Sequence, residues 1–407
     1  MKKKYSISGP GVLIAAAFIG PGTVTVCTIT GASFGFTLLW AMVLSIMATI
    51  VLQEMAARIG LVTHKGLSEV IRSQIKNPTI RLLAILLMLS AIVIGNAAYE
   101  AGNISGGVLG IKALGASGAF EIGTVTLNGW SIGIGLLAAL ILFLGSYKIL
   151  ERILVGLVLF MSVAFIITAI VTKPDLMMVL KGSLIPSFPQ DSTLTIIALV
   201  GTTVVPYNLF LHASLVTEKW KGAEDLPIAR KDTIVAVILG GLVSMAIIIC
   251  AAAIQGNDIS NAADLAKSLE PLFGEYARFF VGVGLGAAGL TSAITAPLAA
   301  AYVVQGCLGW EKNIKSMKFR LVWGGILLLG IFFSSLNYNP IDIIQFAQVA
   351  NGILLPIIAG YLIWMANQKQ LLGTYINKPW QNILGIVIWF IVFGLGLKSI
   401  LKVFGVV

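Results

Sequence analysis

Residues 9–33, GPGVLIAAAFIGPGTVTVCTITGAS, are apolar and long enough to cross a bilayer, yet Gly20, Pro21 and Gly22 fall in their middle. A glycine costs about 1 kcal/mol and a proline about 3 kcal/mol inside a helix, so the triplet is expected to open the backbone. In hydrocarbon, freed N–H and C=O groups are tolerated only where protein encloses them. A second apolar span, 194–216, carries a similar interruption at Val205, Pro206 and Tyr207. Two broken spans in corresponding halves of a membrane chain point to the substrate site of a secondary transporter.

The rest of the chain agrees with a membrane class. Of 407 residues 58% are hydrophobic and 11% charged, under half the charged share of soluble domains. The net charge of +10 is spread through short loops, which argues against a nucleic-acid partner. Cys27, Cys250 and Cys307 lie in or beside apolar runs without metal-like spacing and read as small buried hydrophobes. The opening Met1-Lys2-Lys3-Lys4 followed by an apolar run is read as a first membrane helix with its basic end in the cytoplasm, because the run outlasts a secretory signal.

At about 20 residues per crossing, eleven spans are expected: 9–34, 37–58, 81–107, 130–146, 149–171, 194–216, 232–255, 276–308, 318–336, 341–366 and 379–403. The charged amphipathic pieces 66–74 and 261–272 are expected at the surface. One set of loops carries Lys65, Arg72, Lys76, Lys148, Arg152, Lys219, Lys221, Arg230, Lys231, Lys312, Lys315, Lys318, Lys369 and Lys378. The other carries Asp191, Asp258, Asp264, Glu270 and Glu275. The positive-inside rule then sets a cytoplasmic N-terminus and an extracellular C-terminus in the cell membrane. Breaks five spans apart divide the single domain, 1–407, into inverted repeats at 9–171 and 194–366 with an appended helix at 379–403.

The motifs GPGVLIAAAFIGPGT, FGFTLLW, LQEMAARIGLVTHKGLSEVIR, VVPYNLFLHASLV and AQVANGILLP, in this order, resemble the Nramp family of proton-coupled divalent-metal transporters. The resemblance implies an all-α LeuT-type fold, with two inverted five-helix repeats and helices 1 and 6 unwound at mid-membrane around the substrate. Members that carry manganese or iron read Asp-Pro-Gly-Asn in the first helix and Ala-Thr-Val-Met-Pro-His in the sixth. Here these positions read Gly20-Pro21-Gly22-Thr23 and Thr202-Thr203-Val204-Val205-Pro206-Tyr207. The third-helix aspartate linked to proton transfer falls at Ala97, while the glutamate one turn on survives as Glu100. Gln348 survives in the tenth helix, and a second glutamine there is replaced by Leu354.

The binding set expected from these positions is Gly20, Pro21, Gly22, Thr23, Thr202, Thr203, Val205, Tyr207, Asn208, Gln348 and Asn351. It holds no anionic group, so a bare Mn²⁺ or Fe²⁺ is disfavoured. Free N–H groups at the start of a half-helix, bare Gly20 and Gly22, and the Tyr207 hydroxyl suit a carboxylate instead. The leading expectation is therefore a carboxylate-bearing small solute, amino-acid-like or a lactam acid such as 5-oxoproline. The alternative is a divalent cation (Mn²⁺, Fe²⁺ or a still-hydrated Mg²⁺) in an unusual neutral site. A non-transporting membrane sensor is the third reading, favoured if neither metals nor carboxylates bind. Packing accounts equally for Tyr207 and Val205, and bonds to their own helix for the three threonines.

For coupling to H⁺ or Na⁺, Glu100 and His212 are the ionisable candidates within spans. Thr291 and Ser292 resemble the paired hydroxyls of a sodium site in this fold. Structural hydrogen bonds are the alternative for Glu100 and His212, and helix packing for Thr291 and Ser292. Gly282, Gly284, Gly286 and Gly289 suit close helix packing. Glu54 and Arg58, four apart at a helix end, are read as a surface pair. No nucleophile–base constellation, phosphate loop or cofactor fingerprint occurs, so no enzyme activity, cofactor or resident metal is expected. The partners are a small-molecule substrate and the lipid bilayer, with no oligomer required.

Overall fold

The computed structural model describes residues 19–403 apart from 117, 123–124, 146–147, 257, 312 and 337. The first half of the 9–34 span, 9–18, lies outside the described residues. In chain order the helices are α1 (Pro21–Phe34), α2 (Leu39–Thr63), α3 (Leu67–Gln74) and α4 (Pro78–Ala113). Then come α5 (Gly129–Leu144), α6 (Lys148–Val171), α7 (Leu176–Leu184), α8 (Ser192–Thr203), α9 (Pro206–Lys219) and α10 (Leu226–Ala252). The chain continues with α11 (Ala262–Lys267), α12 (Glu270–Phe273), α13 (Ala277–Leu308), α14 (Met317–Ser335), α15 (Pro340–Ala366), α16 (Lys369–Leu372) and α17 (Pro379–Val403).

Among the described residues, nine helical stretches are long and apolar enough to cross a membrane. Helix α5, at 16 residues, is shorter, and α1 is the described half of the first span. Those are the elements that stand against the expected eleven. One departure from an all-helical chain is an antiparallel hairpin between α4 and α5. Its strands β1 (Ala119–Ile122) and β2 (Val125–Asn128) pair Phe120 with Leu127. The second run, Val-Thr-Leu-Asn, alternates apolar and polar residues, a period of two that a helix cannot use.

The two broken segments sit at the centre of the bundle. Every residue from 19 to 28 and from 196 to 213 is buried. The outer helices instead turn Ile170, Leu328 and Phe390 outward, as a lipid-facing belt requires. Helices α4 and α13 meet through glycine. A Cβ on Gly110 would overlap the backbone of Gly282 and Gly286, and one on Gly289 the backbone of Gly107. Gly284 leaves room for Met161 of α6. The glycine run of the eighth span therefore serves close packing, as expected.

The amphipathic pieces bury one face each. Helix α3 buries Leu67, Val70 and Ile71, and the 261–272 piece is two short helices, α11 and α12, flanking buried Leu269.

Glu54 and Arg58 are not a surface pair. Arg58 is 1% and Glu54 9% exposed. Arg58 Nη2 donates to Glu54 Oε2 (3.1 Å) and Asn377 Oδ1 (2.6 Å), and Nη1 to the Tyr375 carbonyl (2.6 Å). Arg230 Nε reaches Glu54 Oε1 at 2.7 Å. The start of α10 and the chain after α16 cover this end of α2, so a spacing that suits an exposed helix face is turned inward.

Candidate functional site

Side chains cap several helix starts. Asn77, Asn128, Asp175, Asn261, Ser316 and Asn339 each accept from backbone N–H groups one turn in. The starts of α1 and α9 differ. Their N-cap residues, Gly20 and Val205, are extended and make no side-chain cap, and Pro21 and Pro206 stand at N1. Proline fixes the first helical φ and has no N–H to satisfy. Of the amides that follow, Val24 N is bonded to the Gly20 carbonyl (3.2 Å) and Asn208 N to the Val205 carbonyl (3.1 Å), which leaves those of Gly22 and Tyr207 at the helix starts without an intrahelical partner. Before the gap, α8 ends as Val204 and Val205 leave helical geometry at ψ 70 and 121. The break expected at 205–207 is present, and at the first expected break α1 starts at Pro21 after an extended Gly20, the residues before 19 lying outside those described.

Helix α15 crosses this gap. A Cβ on Gly22 would overlap the Gln348 carboxamide, and one on Gly201 would overlap the Gln348 carbonyl. Gly201 therefore permits a close approach of helix backbones, while Gly22 leaves room for the Gln348 carboxamide where it lies. Across the gap, the Tyr99 and Tyr207 rings meet edge to face at 5.3 Å and 64°. On α4, Gly106 faces Pro21, which sets Ser105 at the level of the first break.

Around these segments lie buried polar atoms with no hydrogen-bond partner among the described residues. They are both carboxamide atoms of Asn208, Gln348 Oε1, Asn351 Nδ2, and the hydroxyls of Thr25, Thr28 and Ser105; the Tyr207 hydroxyl makes no bond of good geometry either, although the Tyr99 and Thr295 hydroxyls are its neighbours. Leaving such a group unpaired costs about 1–3 kcal/mol each. Tyr207 and Asn208 lie at the start of α9 and Gln348 and Asn351 on the helix that crosses the gap, while Thr25 and Thr28 lie one and two turns into α1. Tyr99, Thr25, Thr28 and Ser105 were not singled out from sequence. Their signal was available as polar residues at mid-span depth.

The other expected ligands are placed differently. Thr202 and Thr203 both donate to the Leu199 carbonyl (2.8 and 3.0 Å), so their hydroxyls turn back on α8. Thr23 is buried and already engaged. Val205 is fully buried beside Tyr99 and Tyr207.

Among the coupling candidates, Glu100 is fully buried. Its Oε2 accepts from Asn103 Nδ2 (3.3 Å), Oε1 has no described partner, and its methylenes fill the space over Gly330 of α14. It therefore stands one residue from the Tyr99–Tyr207 pair but on another face of α4. His212 is fully partnered between helices: Nδ1 meets Gln53 Oε1 of α2 at 2.5 Å, and Nε2 lies 3.4 Å from Thr233 Oγ1 of α10. Thr291 donates to Ala287 O at 2.8 Å and Ser292 is buried. No group of three or more His, Cys, Asp or Glu among the described residues is placed to hold a metal ion.

The family profile described as "Nramp: Natural resistance-associated macrophage protein-like" matches residues 11–402. The chain belongs to the Nramp family. A curated relative, "Divalent metal cation transporter MntH" of Pectobacterium carotovorum subsp. carotovorum (strain PC1), is 29% identical over 97% of this chain and 94% of its own. The manganese transporter of Eremococcus coleocola superposes with a TM-score of 0.73 at 18% identity, covering 99% of this chain and 89% of that one. MhsT in complex with L-phenylalanine gives 0.60 at 15% identity, covering 96% and 97%. This Nramp chain is accordingly a multi-pass membrane transporter with a LeuT-type fold.

Proposed function

We propose that this Nramp protein is a secondary transporter for a divalent metal cation that keeps part of its water shell while it sits between the two broken helices. The observation that carries this reading is the set of buried oxygens on Tyr207, Asn208 and Gln348 that make no hydrogen bond of good geometry, beside the carbonyls left where α8 ends. Oxygen donors suit hard cations, and Mg²⁺ gives up its waters reluctantly. The names of the curated relatives, divalent metal cation transporters, support the same substrate class. Without a carboxylate in the gap, full dehydration of the ion would go uncompensated. A retained water shell resolves that conflict.

A second reading is a small carboxylate solute such as 5-oxoproline. It is favoured by donors at the same place: Asn208 Nδ2 and Asn351 Nδ2 are unpartnered, and the uncapped starts of α1 and α9 offer backbone N–H groups to an anion. Purified protein reconstituted in vesicles separates the two. The first reading expects uptake of Mg²⁺ or Mn²⁺ that falls at least about tenfold in Gln348→Ala, on the scale of one lost buried ligand contact. Uptake of radiolabelled 5-oxoproline with none of either metal would replace it with the second.

Glu100, buried with a free oxygen, is the proton carrier of this reading. The bonded Thr291 hydroxyl lends a sodium route less support. Loop charge supports a cell-membrane protein with its N-terminus in the cytoplasm. The repeats are taken as 9–171 and 194–366, with 379–403 appended.

A further inference from the structure

At the end of the bundle where the lysine- and arginine-bearing loops gather, the 72–84 segment walls two depressions. The first, about 510 Å³, is lined by Lys65, Arg72 and Arg81 together with Trp310, and by the carboxylates Glu69 and Glu311. Arg72 lies over Gly309, where a side chain would collide with its guanidinium. Lys318 Nζ stands 5.7 Å from the Trp310 ring centre. Counting it, four cations face two carboxylates, which leaves the depression positive. The second, about 640 Å³, runs along Ile80, Leu83 and Leu87 of α4, with Tyr361, Trp364 and Trp389 opposite. Ile80, Leu83 and Leu87 are exposed on the outer surface of the bundle.

We propose that the two depressions form one site for an anionic phospholipid, its phosphate on Lys65, Arg72 and Arg81 and one acyl chain along Ile80, Leu83 and Leu87. A basic pocket at the membrane boundary attracts acidic headgroups, and Trp and Tyr favour that depth. A soluble anion would use the first depression alone. A neutral lipid would use the second alone. The apolar groove directly beside a basic pocket fits a molecule that has both parts. The site is remote from the transport gap and does not depend on the substrate reading.

The full chain in detergent is titrated with dioleoyl phosphatidylglycerol, dioleoyl phosphatidylcholine and glycerol 3-phosphate while its thermal unfolding is followed. Phosphatidylglycerol is expected to raise the midpoint, and the other two to leave it in place. Arg72→Gln/Arg81→Gln, both exposed positions, should weaken the apparent affinity about 30-fold, roughly fivefold per cation. Leu87→Gln should weaken it as well. Equal shifts from both lipids, a full shift from glycerol 3-phosphate, or unchanged affinity in the double arginine variant would each overturn the proposal. Native mass spectrometry of wild-type protein from mixed-lipid micelles gives a variant-free check: phosphatidylglycerol retained over phosphatidylcholine supports it, equal retention sinks it.

Discussion

The Tyr207 hydroxyl illustrates how a single residue separates stability from function. It is buried and makes no hydrogen bond of good geometry, with the Tyr99 and Thr295 hydroxyls as its neighbours among the described residues, so removing it relieves a poorly paired group. Tyr207→Phe is expected to leave thermal stability unchanged or slightly raised. If the hydroxyl meets substrate, the same change weakens substrate affinity by about tenfold, roughly the worth of one hydrogen bond. Calorimetric binding beside a melting curve reads both. Arg58 makes the opposite case. It joins Glu54, Asn377 and the Tyr375 carbonyl in a nearly water-free setting. Arg58→Ala leaves those groups short of a partner and should cost about 3 kcal/mol, visible as a lowered unfolding midpoint with the substrate gap untouched.

At the scale of elements, the decisive contacts are between helix backbones. Gly107 and Gly289 bring α4 against α13, and Gly201 lets α15 pass close to α8, with Gly22 giving room to the Gln348 side chain. Gly289→Val places two methyl groups where the Gly107 backbone lies. Overpacking of that kind costs at least about 1–3 kcal/mol, and expression with monodisperse elution from a sizing column should be lost or sharply reduced. The two breaks also belong to this scale. Their prolines were readable as helix starts, and so was the lack of a cap, because Gly20 and Val205 carry no side-chain acceptor.

For the molecule as a whole, scaffold and site chemistry separate. The family fold is retained along nearly the full chain, while Gly20 and Val205 stand where the resemblance places a carboxylate and a thioether. Gly20→Asp/Val205→Met should therefore give Mn²⁺-dependent thermal stabilisation that the parent chain shows more weakly. An unchanged response to Mn²⁺ would mean that the gap is not aligned as drawn.

Membrane class, both broken spans, the glycine packing stripe and the division of loop charge were all legible in the sequence, because each depends on local composition or on helical spacing along one segment. Tertiary structure decided which neighbour covers a given face. It turned Glu54 and Arg58 inward beneath α10 and the chain around Tyr375. It also tied His212 between α2 and α10 and brought Tyr99 and Ser105 to the gap. Spacing sets the phase of a side chain about its own helix axis, and only packing sets what stands opposite.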